Sequence, residues 1–232
     1  MPIPVHTRRV RCLAVLLFAA LLAPAAAPFT ESTMDDKEPL AALVEPVDAN
    51  QARLIRDPRT TVTRLPTSFL RDALIFRFDW WGPYKIVAGT IGYTRHDNAI
   101  YFLAGSAEDF DRLIANARVM IDTDEQRLSY AMTRLEATRS FARTYLVLER
   151  FEDMKLLPDA PPEAQARARD MRTRYAPRIV PPHVEADGPG WRVPVFVLSE
   201  DNLCLDTVLI ARDGTSRVER TVLEAHTLML PN

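Results

Sequence analysis

The sequence is poor in cysteine, glycine and lysine, and each scarcity carries information. The 232 residues include two cysteines and seven glycines. The glycines are scattered, which excludes a glycine-rich loop of the kind that holds a phosphate group. Only three of the 29 basic residues are lysines, a skew typical of a GC-rich coding sequence. Arginine counts alone therefore carry no functional weight.

The chain has no apolar run long enough for a conventional membrane-spanning helix. The longest run is Cys12–Ala23, 12 residues, whereas a spanning helix needs about 20. Arg8, Arg9 and Arg11 precede this run and small residues follow it, the layout of a secretory signal peptide. We predict that residues 1–27 are a signal peptide and that the protein is periplasmic or secreted. An uncleaved anchor is the alternative, and the only expected means of membrane association.

The cleavage point and the charge of the mature chain follow from this prediction. Ala23-Pro24-Ala25 and Ala25-Ala26-Ala27 both fit a cleavage site, and the first is favoured because the second places Pro28 directly after the cut. Removing residues 1–27 takes away three arginines and no acid, which leaves 26 basic and 31 acidic side chains and a formal charge of −5. This balance argues against a nucleic-acid partner.

The stretch Ala73–Gly105 predicts a three-stranded β-meander. From residue 74 to residue 80 the even-numbered side chains are apolar, and the odd-numbered ones point to the other face. Gly82-Pro83 and His96-Asp97-Asn98 supply the two turns. Gly89 and Gly92 in the second strand indicate a bulge or a close approach of another element.

Three amphipathic helices and a second meander are predicted after residue 105. The helices cover about 107–121, 123–142 and 161–175, with Ser106 as a good N-cap for the first. Residues 145–151 read as a central strand. Residues 191–230 read as strands joined at Glu200-Asp201-Asn202 and Asp213-Gly214, with Pro194 indicating an edge strand.

These elements predict an α+β fold with one curved antiparallel sheet. It would be built from the N-terminal and C-terminal meanders, joined through the strand near Tyr145 and packed by the two middle helices. Residues 28–61, interrupted by Pro39, Pro46 and Pro58, are expected to be a flexible arm with at most one short helix near Asn50–Arg56. Residues 62–232 would form a single domain, with a possible subdivision near 158–190.

No arrangement of catalytic residues stands out. Once residues 1–27 are removed Cys204 is the only cysteine, and its alternation with apolar neighbours favours a buried, unreactive thiol. A grouping of Cys204, His226 and Asp206 is possible on adjacent strands, but no nucleophile elbow or Gly-x-Ser-x-Gly motif accompanies it. We expect His226 to be an ordinary residue of the sheet.

Two further clusters of charged residues each allow a functional interpretation and a purely structural one. His183, Glu185 and Asp187 would lie on one face of an extended segment and could bind a metal, although such triplets are common by chance. We expect no metal and no cofactor. The arginines of the 161–178 region could meet an anionic lipid, a glycan or an acidic partner, but the thin apolar stripe favours a solvated face. They are Arg167, Arg169, Arg172, Arg174 and Arg178.

The predicted binding residues are Trp81, Tyr84, Arg77 and Asp79. Trp81 lies on the less apolar face of its strand beside Arg77 and Asp79, and Tyr84 follows the turn. The alternative for the rings of Trp81 and Tyr84 is that they pack under the turn without a binding role.

The sequence favours a noncatalytic exported protein that binds an unknown small molecule or protein partner. The alternative is a periplasmic hydrolase with its site on the concave face of the sheet, which would need a histidine near an acid and a nucleophile.

Overall fold

The computed structural model describes residues 36–156 and 159–231, and the predicted signal peptide lies outside them. Within these ranges the α+β class and the antiparallel meanders are confirmed. The helices are α1 (Lys37–Val44), α2 (Ala49–Arg56), α3 (Ala107–Asn116), α4 (Asp124–Thr138) and α5 (Pro162–Tyr175). The strands are β1 (Thr60–Arg64), β2 (Ala73–Trp81), β3 (Ile86–Thr94), β4 (Ile100–Phe102), β5 (Tyr145–Leu148), β6 (Met154–Leu156), β7 (Glu185–Asp187), β8 (Gly190–Ser199), β9 (Asn202–Ile210), β10 (Ser216–Glu224) and β11 (Met229–Pro231).

The first sheet has the order β1-β2-β3-β4, and its centre is the predicted meander. β2 and β3 pair from Ala73 opposite Thr94 to Trp81 opposite Ile86. The close approach indicated by Gly92 is present, since a Cβ atom added there would lie 2.7 Å from the side chain of Leu113 in α3. A side chain at this position would displace the end of the Leu113 side chain.

The second sheet has the order β10-β9-β8-β5, with β7 also paired to β8. Two expectations are wrong here, because β5 is an edge strand and β8, which contains Pro194, is central. Pro194 is tolerated because the pairing on one side of β8 is interrupted there. β7 pairs only as far as Arg192, and β5 pairs only from Phe196 onward.

The two meanders belong to separate sheets, so the expectation of one continuous sheet is also wrong. β5 pairs with β8 and not with the first sheet, while α3 and α4 contribute to a core shared by both sheets. Tyr130 of α4 illustrates the arrangement, since its hydroxyl contacts Gly214 O at 2.8 Å and Ser216 Oγ at 2.7 Å. Burial raises the pKa of Tyr130 to about 12, so the phenol stays neutral.

Residues 36–61, expected to be a flexible arm, are folded against the first sheet. α1 and α2 bury Leu40, Val44 and Ile55 against Phe76 and Phe78, on the even-numbered face of β2. The prolines that suggested disorder lie at helix boundaries, where proline is compatible with a helix. The side chain of Asp48 caps α2 by accepting from the backbone amides of residues 50 and 51.

α5 covers the other face of the second sheet through its predicted apolar stripe. Met171 and Tyr175 pack with Phe196 and Leu198 of β8 and with Met229 of β11. β11 pairs with β6 in a small two-stranded sheet. None of the helices in residues 36–156 and 159–231 is long and apolar enough to cross a membrane.

Candidate functional site

The four predicted binding residues divide between two places. Arg77 and Asp79 point from β2 toward α4 and line a cleft. Trp81 and Tyr84 lie at the tip of the β2–β3 hairpin, 58% and 98% exposed, and do not line that cleft. The period of a strand predicts which face a side chain occupies, but not how far the covering helix extends.

The cleft beside Arg77, which we call the edge cleft, lies between β1, β2, α4 and β5. Its volume is about 690 Å3. β1 and β5 are edge strands of the two sheets, so the cleft opens where the sheets end. Its apolar wall is formed by Leu65, Pro66, Met132, Leu135, Tyr145 and Val147. Its hydroxyl groups come from Thr63, Ser129 and Thr133.

An ion network fixes the charged side of the edge cleft. The Arg77 guanidinium donates to both Asp79 oxygens at 2.8 Å and to Glu136 Oε1 at 2.7 Å. Arg139 donates to the same Glu136 carboxylate at 2.8 and 3.1 Å. Burial acts to lower the pKa of Arg77, but Asp79 and Glu136 outweigh it and leave that pKa raised. Arg77 is therefore charged, and its hydrogen bonds hold it in place before any ligand arrives.

A second cleft lies between α3, α4 and the second sheet, and we call it the arginine cleft. Its volume is about 670 Å3, and Leu135 and Tyr145 line both clefts. Its lining includes five arginines, three of them paired with acids outside the lining, and two aspartates. They are Arg134, Arg139, Arg143, Arg217, Arg220, Asp111 and Asp206.

Asp206 lies at the base of the arginine cleft and is fully buried. Arg220 of β10 donates to its two oxygens at 2.6 and 2.7 Å, and the Tyr145 hydroxyl donates to Oδ2 at 3.0 Å. Burial raises the pKa of Tyr145, so the hydroxyl keeps its proton and remains a donor. The hydrogen bonds that Arg220 donates to Asp206 raise the pKa of Arg220. The buried carboxylate is thereby paired with a cation.

Arg134 also lines the arginine cleft and, like Asp206, is buried. Its Nη1 donates to Asp111, and its guanidinium lies 5.1 Å from the centre of the Phe110 ring. Its Nε–H has no acceptor in the described part of the chain. Arg134 thus brings to this cleft a buried guanidinium that is paired with Asp111 and keeps one N–H group without an acceptor among the described residues.

The sequence did not predict the arginine cleft, although one signal for it was present. Asp206 shares a face of β9 with Cys204, Val208 and Ile210, all of which are buried. A carboxylate on an apolar face needs a cation or hydrogen-bond donors. Arg220 lies opposite Asp206 on β10, and this pairing becomes visible only when the register is known.

The histidines do not form a catalytic group in the described chain. His226 contacts Asp201 at 2.8 Å and His183 contacts Glu185 at 3.0 Å, while His96 lies 3.6 Å from Asp97. None of the three lines either cleft or hydrogen-bonds to Cys204 or to a serine. The expectation that His226 belongs to the sheet is wrong, because it follows β10 in a loop, and the Cys204, His226 and Asp206 grouping is not formed.

Cys204 is buried, as its alternation predicted. Desolvation by burial raises the pKa of its thiol, which disfavours the reactive thiolate. In the His183, Glu185 and Asp187 triplet, where a metal was considered and not expected, Glu185 accepts from Arg192 at 2.6 Å in addition to contacting His183. Among residues 36–156 and 159–231, no three His, Cys, Asp or Glu side chains are close enough to hold a metal ion.

The arginines of α5 are largely engaged in ion pairs. Arg167 and Arg174 contact Glu224 of β10 at 2.9 and 3.1 Å, and Arg172 contacts Glu152 at 2.6 Å. These pairs join α5 to neighbouring elements. The positive side chains on this helix thus have a structural use within the chain.

No protein-family model, no curated protein and no solved structure matches this chain. Functional inference therefore depends on the two clefts and on the exposed aromatic tip.

Proposed function

We propose that this protein is an exported, noncatalytic binding protein and that a small molecule occupies the edge cleft. The observation that carries this proposal is the cleft itself. Its volume of about 690 Å3 lies within the range of about 300–1,000 Å3 for ligand sites. Leu65, Met132 and Val147 offer apolar contact, while Thr63 and Ser129 offer hydroxyl groups. Such sites commonly combine an apolar wall with a few polar groups.

The charges around the edge cleft favour a neutral or cationic ligand. Asp79, Glu136, Glu149 and Asp153 face a single cation, Arg77, among the lining residues. Arg77 already donates to both Asp79 and Glu136. An anionic ligand would have to compete with these carboxylates, whereas a ligand with an apolar body and a hydrogen-bonding or cationic group would not.

The histidine positions give the hydrolase alternative no support. A general base must lie within hydrogen-bond reach of the group it activates. His96, His183 and His226 each contact an acid at the surface, and none lines the edge cleft. Binding without catalysis is the simpler proposal for this cleft.

The aromatic tip is a second candidate contact, for a protein partner. Trp81, Tyr84 and Ile86 are all exposed on the β2–β3 hairpin. Exposed apolar side chains that lie near one another are typical of interaction surfaces. This keeps Trp81 and Tyr84 as proposed binding residues, separate from Arg77 and Asp79.

The proposal is tested by identifying what the protein carries when it is purified from its host. Native mass spectrometry would compare the wild type with Met132→Trp, which adds bulk to the cleft wall. Glu125→Trp is the matched control, because Glu125 is exposed on the same helix and lines neither cleft. We expect a bound compound in the wild type and the control, and its loss in Met132→Trp. A ligand-free wild type, or equal retention in Met132→Trp, would argue against the edge cleft.

A further inference from the structure

Arginine is the most frequent charged residue in the lining of the arginine cleft. Five arginines and two aspartates line it, and Glu136, Glu200 and Glu219 pair with three of the arginines from outside the lining. The charged side chains inside the cleft are thus mainly cationic. Low-dielectric walls concentrate such a field and raise the local concentration of counter-ions. A cleft of about 670 Å3 is large enough for a small molecule.

Arg220 provides a guanidinium that is positioned before any ligand binds. Its Nε and Nη2 donate to Asp206, and its Nη1 donates to Ser199 Oγ at 3.2 Å. A guanidinium has five N–H groups, so Arg220 keeps two for a further acceptor. Its side chain is 43% exposed, which makes these donors accessible from the cleft. Asp206 therefore acts as a positioning residue for Arg220.

Arg143 and Arg217 stand at the rim and can turn toward a ligand at little cost. Their side chains are 68% and 73% exposed, and their acidic partners Glu200 and Glu219 are themselves exposed. Exposed ion pairs of this kind contribute about 0–1 kcal/mol. A paired, charge-assisted contact between an arginine and an oxyanion is stronger and more directional.

We infer that the arginine cleft is a second ligand site, which takes a small multivalent oxyanion. Arg220 and the buried Arg134 form its fixed part, and Arg143 and Arg217 close on the ligand from the rim. Phosphate and carboxylate groups share the chemistry that arginine recognises, since each presents two oxygens to the guanidinium fork. A proposed ligand for this cleft thus differs in charge from the one proposed for the edge cleft.

Isothermal titration calorimetry with sodium pyrophosphate and with sodium citrate tests this site. Each probe is titrated into the wild type, into Arg143→Gln/Arg217→Gln and into Arg169→Gln/Arg178→Gln. The control pair removes the same charge from the α5 region, outside both clefts. We expect at least one probe to bind the wild type and the control alike, and at least about tenfold weaker binding to the rim variant, a loss of about 1.4 kcal/mol.

The two probes distinguish the kinds of ligand. Tighter binding of pyrophosphate would indicate a phosphorylated ligand, and tighter binding of citrate would indicate a polycarboxylate. Either result supports the site, provided that the loss is confined to the rim variant. Binding should also persist in Met132→Trp, so that failure of the edge cleft leaves this result intact.

Two results would overturn the inference. One is the absence of heat from both probes up to about 10 mM, a concentration that fills most of a site of millimolar affinity. The other is binding by the rim variant that is no weaker than binding by the control, whether both lose affinity, which would show a response to net charge alone, or neither does. Thermal unfolding of each variant verifies that it is folded, as expected for substitutions at exposed side chains.

Discussion

Arg220 holds both carboxylate oxygens of Asp206, at 2.6 and 2.7 Å, and the two residues differ sharply in their contact with water. Asp206 is fully buried, whereas 43% of the Arg220 side chain is exposed. Loss of the arginine would leave a buried anion without a cation. Loss of the carboxylate would leave a cation that can turn into solvent.

This asymmetry predicts unequal effects of two substitutions. Arg220→Met, which keeps most of the apolar stem, should lower the free energy of unfolding by about 3 kcal/mol, as when one partner of a buried pair is removed. Asp206→Asn should cost about 1–2 kcal/mol, because the amide oxygen still accepts from Tyr145. Urea denaturation measures both. A larger loss in Asp206→Asn would contradict this account of the pair.

The two adjacent tryptophans should also behave differently. Trp80 is partly buried, with Arg59 5.0 Å from its ring centre, and a Cβ atom added at Gly82 would lie 2.2 Å from the Trp80 ring. Trp80→Ala should therefore cost about 2–3 kcal/mol, somewhat less than the value for a fully buried ring. Trp81→Ala should cost about 0.5 kcal/mol or less, because Trp81 is largely exposed. A urea midpoint of Trp81→Ala that falls as far below the wild type as expected for Trp80→Ala would place Trp81 in the packed core and defeat its role as a binding residue.

Acid should weaken the attachment of α5 to β10 through Glu224. The hydrogen bond from Arg167, supported by Arg174, lowers the pKa of Glu224 below its usual value of 4.5. A lowered pKa in the folded state means that the stabilisation is present above that usual value and is lost as the pH falls through the folded-state pKa. Glu224→Gln should therefore lose less stability than the wild type between neutral pH and acid. Parallel profiles of unfolding free energy against pH would contradict this assignment.

Cys204 should react slowly with thiol reagents while the protein is folded. Its side chain is buried in the core shared by the two sheets, and the pKa of the thiol is raised by that burial. Labelling with a maleimide should be slow in buffer and fast in denaturant, as followed by mass spectrometry. Rapid labelling of the folded protein, or a dimer on a nonreducing gel, would show that the thiol is accessible.

Export should leave a mature protein that begins between Ala26 and Pro28. The basic, apolar and small-residue regions of residues 1–27 occur in the order of a signal peptide. N-terminal sequencing of the protein isolated from its host measures the start directly. A chain that begins at Met1 or Pro2 would contradict cleavage and favour a retained segment.

Local patterns predicted the elements well and the charged sites poorly. Alternation along β2 separated Phe76 and Phe78 from Arg77, and the structure places these side chains on opposite faces. It could not predict that Arg77 meets Glu136, since the two lie 59 positions apart in the chain. The arginine cleft was missed for the same reason, because Arg134 and Arg220 converge only after α4 packs on the second sheet.

The sequence by itself determined the strands of the two meanders and the middle helices with their starting points, but not the short strands β1, β6, β7 and β11. Ser106 and Thr123 cap α3 and α4 because their side chains reach backbone amides three residues ahead, a contact that needs no other part of the protein. Tertiary structure decided how the strands divide into sheets, how α1 and α2 cover the first sheet, and which acid each arginine meets. Those outcomes depend on contacts between distant segments, where the burial of a whole face outweighs local preference.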